Sequence, residues 1–281
     1  MIVLGNYNTL TVKRESPFGF FIGDQDVDDL LLPNKYVPEG LKIGDQIEIF
    51  CYLDHMERPV ATTLKPKVLR DAFAALKVVA VNDIGAFLDW GLEKHLLVPF
   101  REQTSRMAVG ETHVIHCYLD PKSFRLVGSA RLDRFFTSDT SAIKAGQQVA
   151  LMPYRRTDLG WEVVVDGQYK GLLFHDQVFR QISPGIGLSG FVKNRRPDGK
   201  LDVVLEQQGH QRLEPAAAKI ESQLLQQGGF LPLNDKSSPE QIQSLLGMSK
   251  KLFKSGVGVL YKARRITIKP DGIYLNPSAT K

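Results

Sequence analysis

The residues in this chain with types and spacing suited to chemistry are its metal-type ligands, its acidic run and its basic clusters. His113-Val114-Ile115-His116-Cys117 places three possible metal ligands within five residues. Side chains alternate along a strand, so His113 and Cys117 share one face while His116 lies on the other. Two donors fall short of the four that a structural zinc takes. The run Asp24-Gln25-Asp26-Val27-Asp28-Asp29 could gather a hard cation, but it reads more simply as a solvated loop. No glycine loop cradles a phosphate, no nucleophile motif appears, and no carboxylate set suits a metal-dependent nuclease. No catalytic residue, metal or cofactor is therefore assigned, and the chain is expected not to be an enzyme.

The basic clusters remain. Arg155-Arg156 and Lys193-Asn194-Arg195-Arg196 form one group; Lys250, Lys251, Lys254, Arg264 and Arg265 form another. Cations at such density suit phosphates, whose neutralisation releases counterions. Adjacent arginines in a strand face opposite ways, so only one of each pair can meet a given ligand. Formal charge runs from −4 over residues 1–66 through +1 over 67–139 and +2 over 140–211 to +6 over 212–281. That gradient predicts an anionic partner engaged mainly by the later domains.

These residues ride on a repeated module. Cys51-Tyr52-Leu53-Asp54 returns as Cys117-Tyr118-Leu119-Asp120, a shift of 66 that also superimposes Gly19 on Gly85, Phe21 on Phe87, Pro33 on Pro99 and Gly44 on Gly110. A shift of 141 places Gly160, Val163, Leu172 and Gly185 on Gly19, Ile22, Leu31 and Gly44. The chain is a tandem array of one small unit. A unit of about 65 residues is near the lower limit for independent folding, so neighbours are expected to share contacts.

Within the first copy Ile47, Ile49 and Cys51 alternate with Gln46, Glu48 and Phe50, the signature of a half-buried strand with Phe50 on its outer side. Thr9–Val12, Gly19–Ile22, Leu30–Pro33 and Pro59–Thr63 read as further strands between turn residues. Five short strands with little helix fit a Greek-key barrel of the OB type. The boundaries fall at 1–66, 67–139 and 140–211, with a different domain at 212–281.

That last domain changes period. Leu213-Glu214-Pro215 opens a helix over 216–227, Ser238-Pro239 caps a second, and a third runs from about Ser249 to Ser255. Val257 to Tyr261 could extend the third helix or begin a strand. A hairpin turning on Pro270-Asp271-Gly272 completes a winged helix. Lys250, Lys251 and Lys254 fall on one side of the third helix, leaving Leu252 and Phe253 for the core. The fold class is thus mainly β with a small α+β end.

Asp83-Ile84-Gly85-Ala86-Phe87-Leu88, followed by Leu96-Leu97-Val98-Pro99 and Val109-Gly110-Glu111, resembles the S-one RNA-binding domain named after ribosomal protein S-one. Three such domains before a winged helix resemble the conserved virulence factor B family of bacterial RNA-binding regulators. The resemblance implies single-stranded RNA as partner, with bases stacked at Phe18, Phe21 and Pro33, at Ile84, Phe87 and Pro99, and at Leu159, Glu162 and Phe174. The family's histidine is missing from all three copies, and Glu162 stands where an aromatic is expected; Trp161, or Phe174 with His175, could substitute. Phenylalanine in a strand is usually core, which leaves a protein scaffold with degenerate barrels as one alternative. Duplex DNA bound by the winged helix is another, although its third helix lacks a base-reading set of Asn, Gln or Arg. The two cysteines read as reduced core thiols. With no signal peptide and no membrane-length apolar stretch, the expected location is the cytoplasm, with no membrane partner.

Overall fold

The computed structural model describes residues 2–24, 29–178, 181–205 and 215–276, so most of the acidic run and Leu213-Glu214 lie outside the described residues. The chain forms two compact units, 1–205 and 206–281.

The first unit holds three closed barrels. One comprises β1 (Tyr7–Ser16), β2 (Gly19–Gly23), β3 (Leu30–Pro33), β4 (Gln46–Leu53) and β5 (Pro59–Thr62). The next comprises β6 (Ala72–Val81), β7 (Gly85–Asp89), β8 (Leu96–Pro99), β9 (Thr112–Leu119) and β10 (Leu126–Ser129). The third comprises β11 (Gln148–Arg156), β12 (Gly160–Val165), β13 (Tyr169–Phe174), β14 (Leu188–Arg195) and β15 (Leu201–Val204). In each, the third and fifth strands run parallel and the other neighbours are antiparallel.

The recurring residues recur because closure needs them. The first strand of every barrel carries a bulge at one repeat position, between Val12 and Arg14, Val78 and Ala80, and Pro153 and Arg155. A bulge sharpens bend and twist, which lets five strands close. The motif glycine opens the second strand against the backbone of the third. A Cβ on Gly19, Gly85 or Gly160 would sit 2.0, 2.4 or 2.2 Å from the carbonyl oxygen of Leu32, Val98 or Leu173. Only a residue without a side chain permits that approach. Gly44, Gly110 and Gly185 turn with φ of 95°, 93° and 81°. Their N–H groups donate to the carbonyls of Val12, Val78 and Pro153 at 2.8, 2.9 and 2.7 Å, tying each turn to its bulge.

Neighbouring barrels share contacts, as their size requires. Phe50, placed on the outer side of β4 by the alternation of its strand, is fully buried and not solvated. With Tyr52 it packs edge-on against Trp90 at centroid distances of 5.8 and 6.5 Å, inside the second barrel's core. Periodicity separates the two sides of a strand but cannot tell a neighbour from water. At the next junction His116 stacks on Phe135 at 4.0 Å and Phe73 on Phe136 at 5.1 Å. Burial there pushes the His116 imidazole down to about 4. Cys51 and Cys117 are free and buried, and burial pushes both thiols up to about 12, where they are unreactive.

The second unit contains α1 (Pro215–Gln226), β16 (Phe230–Leu231), α2 (Pro239–Leu246), α3 (Lys250–Lys262), β17 (Ile266–Lys269) and β18 (Gly272–Leu275). Ser238 and Gln241 form a capping box at the start of α2, and Gly247 ends it with φ 58°. The third helix does not stop near Ser255; it continues through Gly256 and Gly258 to Lys262. Packing decides this: a Cβ on Gly256 would lie 2.9 Å from the Ala217 nitrogen, so the glycine lets α3 lie close against α1. Leu252, expected in the core, is exposed, because helical steps put it on the flank of the buried row Phe253, Gly256 and Leu260. β16 adds a third strand to the wing, in the order β16-β18-β17; two residues are too few to show a period.

Candidate nucleic-acid interface

The second and third strands of each barrel present the face at which OB-type proteins hold single strands. Register aligns three versions of it. In barrel one Phe21 sits between Arg14 and Leu31, in barrel two Phe87 between Ala80 and Leu97, and in barrel three Glu162 between Arg155 and Leu172. The apolar residue before the motif glycine is exposed in all three: Phe18 at 74%, Ile84 at 52% and Leu159 at 65%.

What lies over the central residue differs. The Arg14 guanidinium rests 3.5 Å above the Phe21 ring, held also by Asp29 at 3.8 Å. Phe87 is half-buried beside the single methyl of Ala80, and it lines a cavity of about 260 Å³ together with Ile84, Leu97, Lys94 and Arg125. In barrel three Glu162 accepts from Arg155 at 2.5 Å and pairs with Lys170 at 2.9 Å, while Lys170 reaches Asp133 at 2.5 Å. Burial alone would raise the Glu162 carboxyl, but the hydrogen bonds from Arg155 and Lys170 outweigh it and hold the group below its ordinary range. That face is occupied by its own ion pairs and by Asp133, from the segment that follows barrel two.

The other residues selected from sequence divide in the same way. Trp161 is half-buried against the third barrel's core. Phe174 has the Arg196 guanidinium 5.7 Å from its ring centroid, and Arg196 pairs with Asp202 at 2.7 Å. Arg195 donates to the carbonyls of Thr140 and Ser141, both at 3.1 Å. The His175 Nε2 lies 2.8 Å from the Thr157 carbonyl. Arg156 is exposed. On α3, Lys251 and Lys254 are exposed and Lys250 is half-buried. Arg264 follows the helix, exposed and with φ 56°, whereas Arg265 pairs with Glu221 at 2.7 Å.

Two aromatics were not singled out by sequence reasoning. Phe124, in the β9–β10 hairpin, is 69% exposed with φ 53°, its N–H donating to the Asp120 carbonyl at 2.8 Å. The signal for it lies in Pro121-Lys122-Ser123-Phe124-Arg125, an apolar residue within a turn that has no core to fill. Tyr261 is 58% exposed on α3, on the same side as Lys254, and becomes visible once the helix is known to continue. Among the described residues no group of three or more His, Cys, Asp or Glu is placed to hold a metal ion, and no helix is long and apolar enough to cross a membrane.

Comparison with known proteins agrees with this architecture. The S1 domain family matches residues 4–64, which contain barrel one, and the CvfB-like winged helix domain family matches residues 218–275. Conserved virulence factor B of Staphylococcus aureus is 27% identical over 246 residues, covering 84% of this chain and 81% of its own. The chain is thus similar to conserved virulence factor B over most of its length and carries an S1 domain and a CvfB-like winged helix domain. Another relative, YitL of Bacillus subtilis, is 25% identical over 273 residues, 93% of this chain and 90% of that one. A solved multidomain protein with nucleic acid binding domains from Streptococcus pneumoniae is 25% identical, covering 97% of this chain and 98% of that one at a TM-score of 0.49. The S1 match ends two residues beyond β5, and the winged-helix match begins within the first turn of α1 and closes at the end of β18.

Proposed function

We propose that this chain is a non-enzymatic, cytoplasmic nucleic-acid-binding protein that holds single-stranded RNA and acts in post-transcriptional regulation of gene expression. The observation that carries this reading is the second barrel's face. An aromatic stands at the stacking position with only the methyl of Ala80 on its β6 side, an exposed Ile84 at its edge, and Lys94 and Arg125, both paired with Glu57, close by. Bases stack on such rings for roughly 1–3 kcal/mol each, whatever their sequence. Barrel one contributes Phe18 and an Arg14-covered Phe21, and the winged helix contributes lysines suited to phosphates. Several modest sites on one chain reach useful affinity through effective concentration. An S1 domain and a winged-helix domain in one chain support nucleic acid as the partner class.

The closed face of barrel three favours a second reading for that barrel alone, as a spacer or protein-contact module. Duplex DNA is the weaker partner on this account, since the exposed side of α3 offers Lys251, Lys254, Tyr261 and Lys262 but no Asn, Gln or Arg to read bases. Fluorescence anisotropy with labelled single-stranded RNA and duplex DNA of equal length, at two salt concentrations, tests the proposal. Binding to RNA that weakens with salt, with duplex clearly poorer, is the expected result. No binding to either at low salt would leave only the scaffold.

A further inference from the structure

Barrel two's cavity is walled on one side by barrel one. Its lining includes Leu53, His55 and Glu57 from the β4–β5 hairpin, opposite Ile84, Phe87 and Leu97. Side chains of barrel two tie the hairpin in place. Lys94 donates to the Asp54 carbonyl at 2.7 Å and to Glu57 at 2.9 Å, and Arg125 meets the same carboxylate at 3.0 Å. The indole of Trp90, packed on Phe50 and Tyr52, donates to the Lys94 carbonyl at 2.6 Å. An apolar floor, a rim in which Lys94 and Arg125 share the Glu57 carboxylate beside Glu93, and two imidazoles, His55 and His95, therefore converge on one slot.

We infer that this slot is a composite pocket for a single unpaired nucleobase, in which the base stacks on Phe87 and is enclosed by the hairpin of barrel one. At about 260 Å³ the cavity lies just below the range of roughly 300–1,000 Å³ for drug-sized ligands, a size that suits one base. The apolar floor matches the faces of the base, and the donors and carboxylate acceptors of the rim match its polar edge. In barrel three Glu162 and its partners Arg155 and Lys170 occupy the equivalent position. The inference rests on the RNA-binding function proposed for this face and adds that barrel two cannot hold RNA at full affinity without residues of barrel one.

The test uses the full chain carrying Trp161→Phe, which leaves Trp90 as the sole tryptophan. Single-stranded RNA should quench Trp90 emission, and thiouridine-substituted RNA should photocrosslink to peptides containing 53–57 as well as 84–97. Leu53→Ala and His55→Ala should each weaken binding about 3- to 10-fold, less than the loss of a full stack. Phe87→Ala should abolish the quenching. If RNA binds but Trp90 is silent, crosslinks stay within 84–97 and the hairpin variants bind normally, the base lies on an open face. The composite pocket is then wrong while RNA binding stands. If RNA does not bind the parent chain at all, the proposed function and the pocket fail together.

Discussion

Barrels two and three are copies of one module that differ at two facing positions, and those positions decide what each face can do. Ala80 beside Phe87 leaves an aromatic ring with room over it; Arg155 beside Glu162 makes an ion pair that fills the same place. Lys170 and Asp133 extend the pair into a small network that ties the segment after barrel two onto barrel three. A strand face can carry a ligand or a neighbour, and here one repeat does each. Barrel one stands between them, with an aromatic present and an arginine laid across it.

Four experiments break or sharpen this contrast. Phe87→Ala should weaken single-stranded RNA binding roughly 10- to 100-fold in an anisotropy titration, the value of one base stack. Glu162→Ala in the same assay should change affinity less than about twofold. Its effect belongs to stability. Leaving Arg155 and Lys170 without their carboxylate should lower the unfolding free energy by about 1–2 kcal/mol in urea, the partly exposed geometry reducing the roughly 3–5 kcal/mol seen for fully buried pairs. The pH sign follows from the lowered carboxyl. Its contribution is present above the ordinary value of 4.5 and is lost as pH falls through the depressed folded-state value, so the parent chain should lose stability below pH 4.5 more steeply than the variant.

A graft probes the contrast in reverse. Arg155→Ala with Glu162→Phe rebuilds the barrel-two arrangement on barrel three and should raise RNA affinity several-fold, about half a stack, since the segment carrying Asp133 still covers part of the face. No gain would mean that the covering segment, and not the ion pair, closes barrel three. Lys251→Ala is expected to have the smallest effect. Removing one phosphate-binding cation from α3 should cost about 2- to 3-fold in affinity and lower the slope of log affinity against log salt by about 1. An unchanged slope would remove that helix from the interface.

The repeat register and the barrels were legible in the sequence because closure leaves no freedom at Gly19, Gly85 and Gly160, or at the turn glycines bonded to the bulge. Such positions resist substitution and so repeat visibly. The helix starts at Ser238 and Ser249 were legible too, since their caps are local. What long-range packing decides was not. The burial of Phe50 depends on Trp90, some forty residues away, and the continuation of α3 past Gly256 depends on α1. Glu162 stood out as a missing aromatic, but its role needed Lys170 and Asp133 brought together by the fold. Arg155, Arg195, Arg196 and Arg265 looked like free cations, and each has a carboxylate or carbonyl partner within the chain.

Hydrogen exchange of the full chain with and without single-stranded RNA tests the central claim most directly. Slowed exchange over β7 and β8, residues 85–99, with β12 and β13, residues 160–174, unchanged is the predicted result. Protection confined to residues 160–174, with 85–99 unaffected, would contradict it.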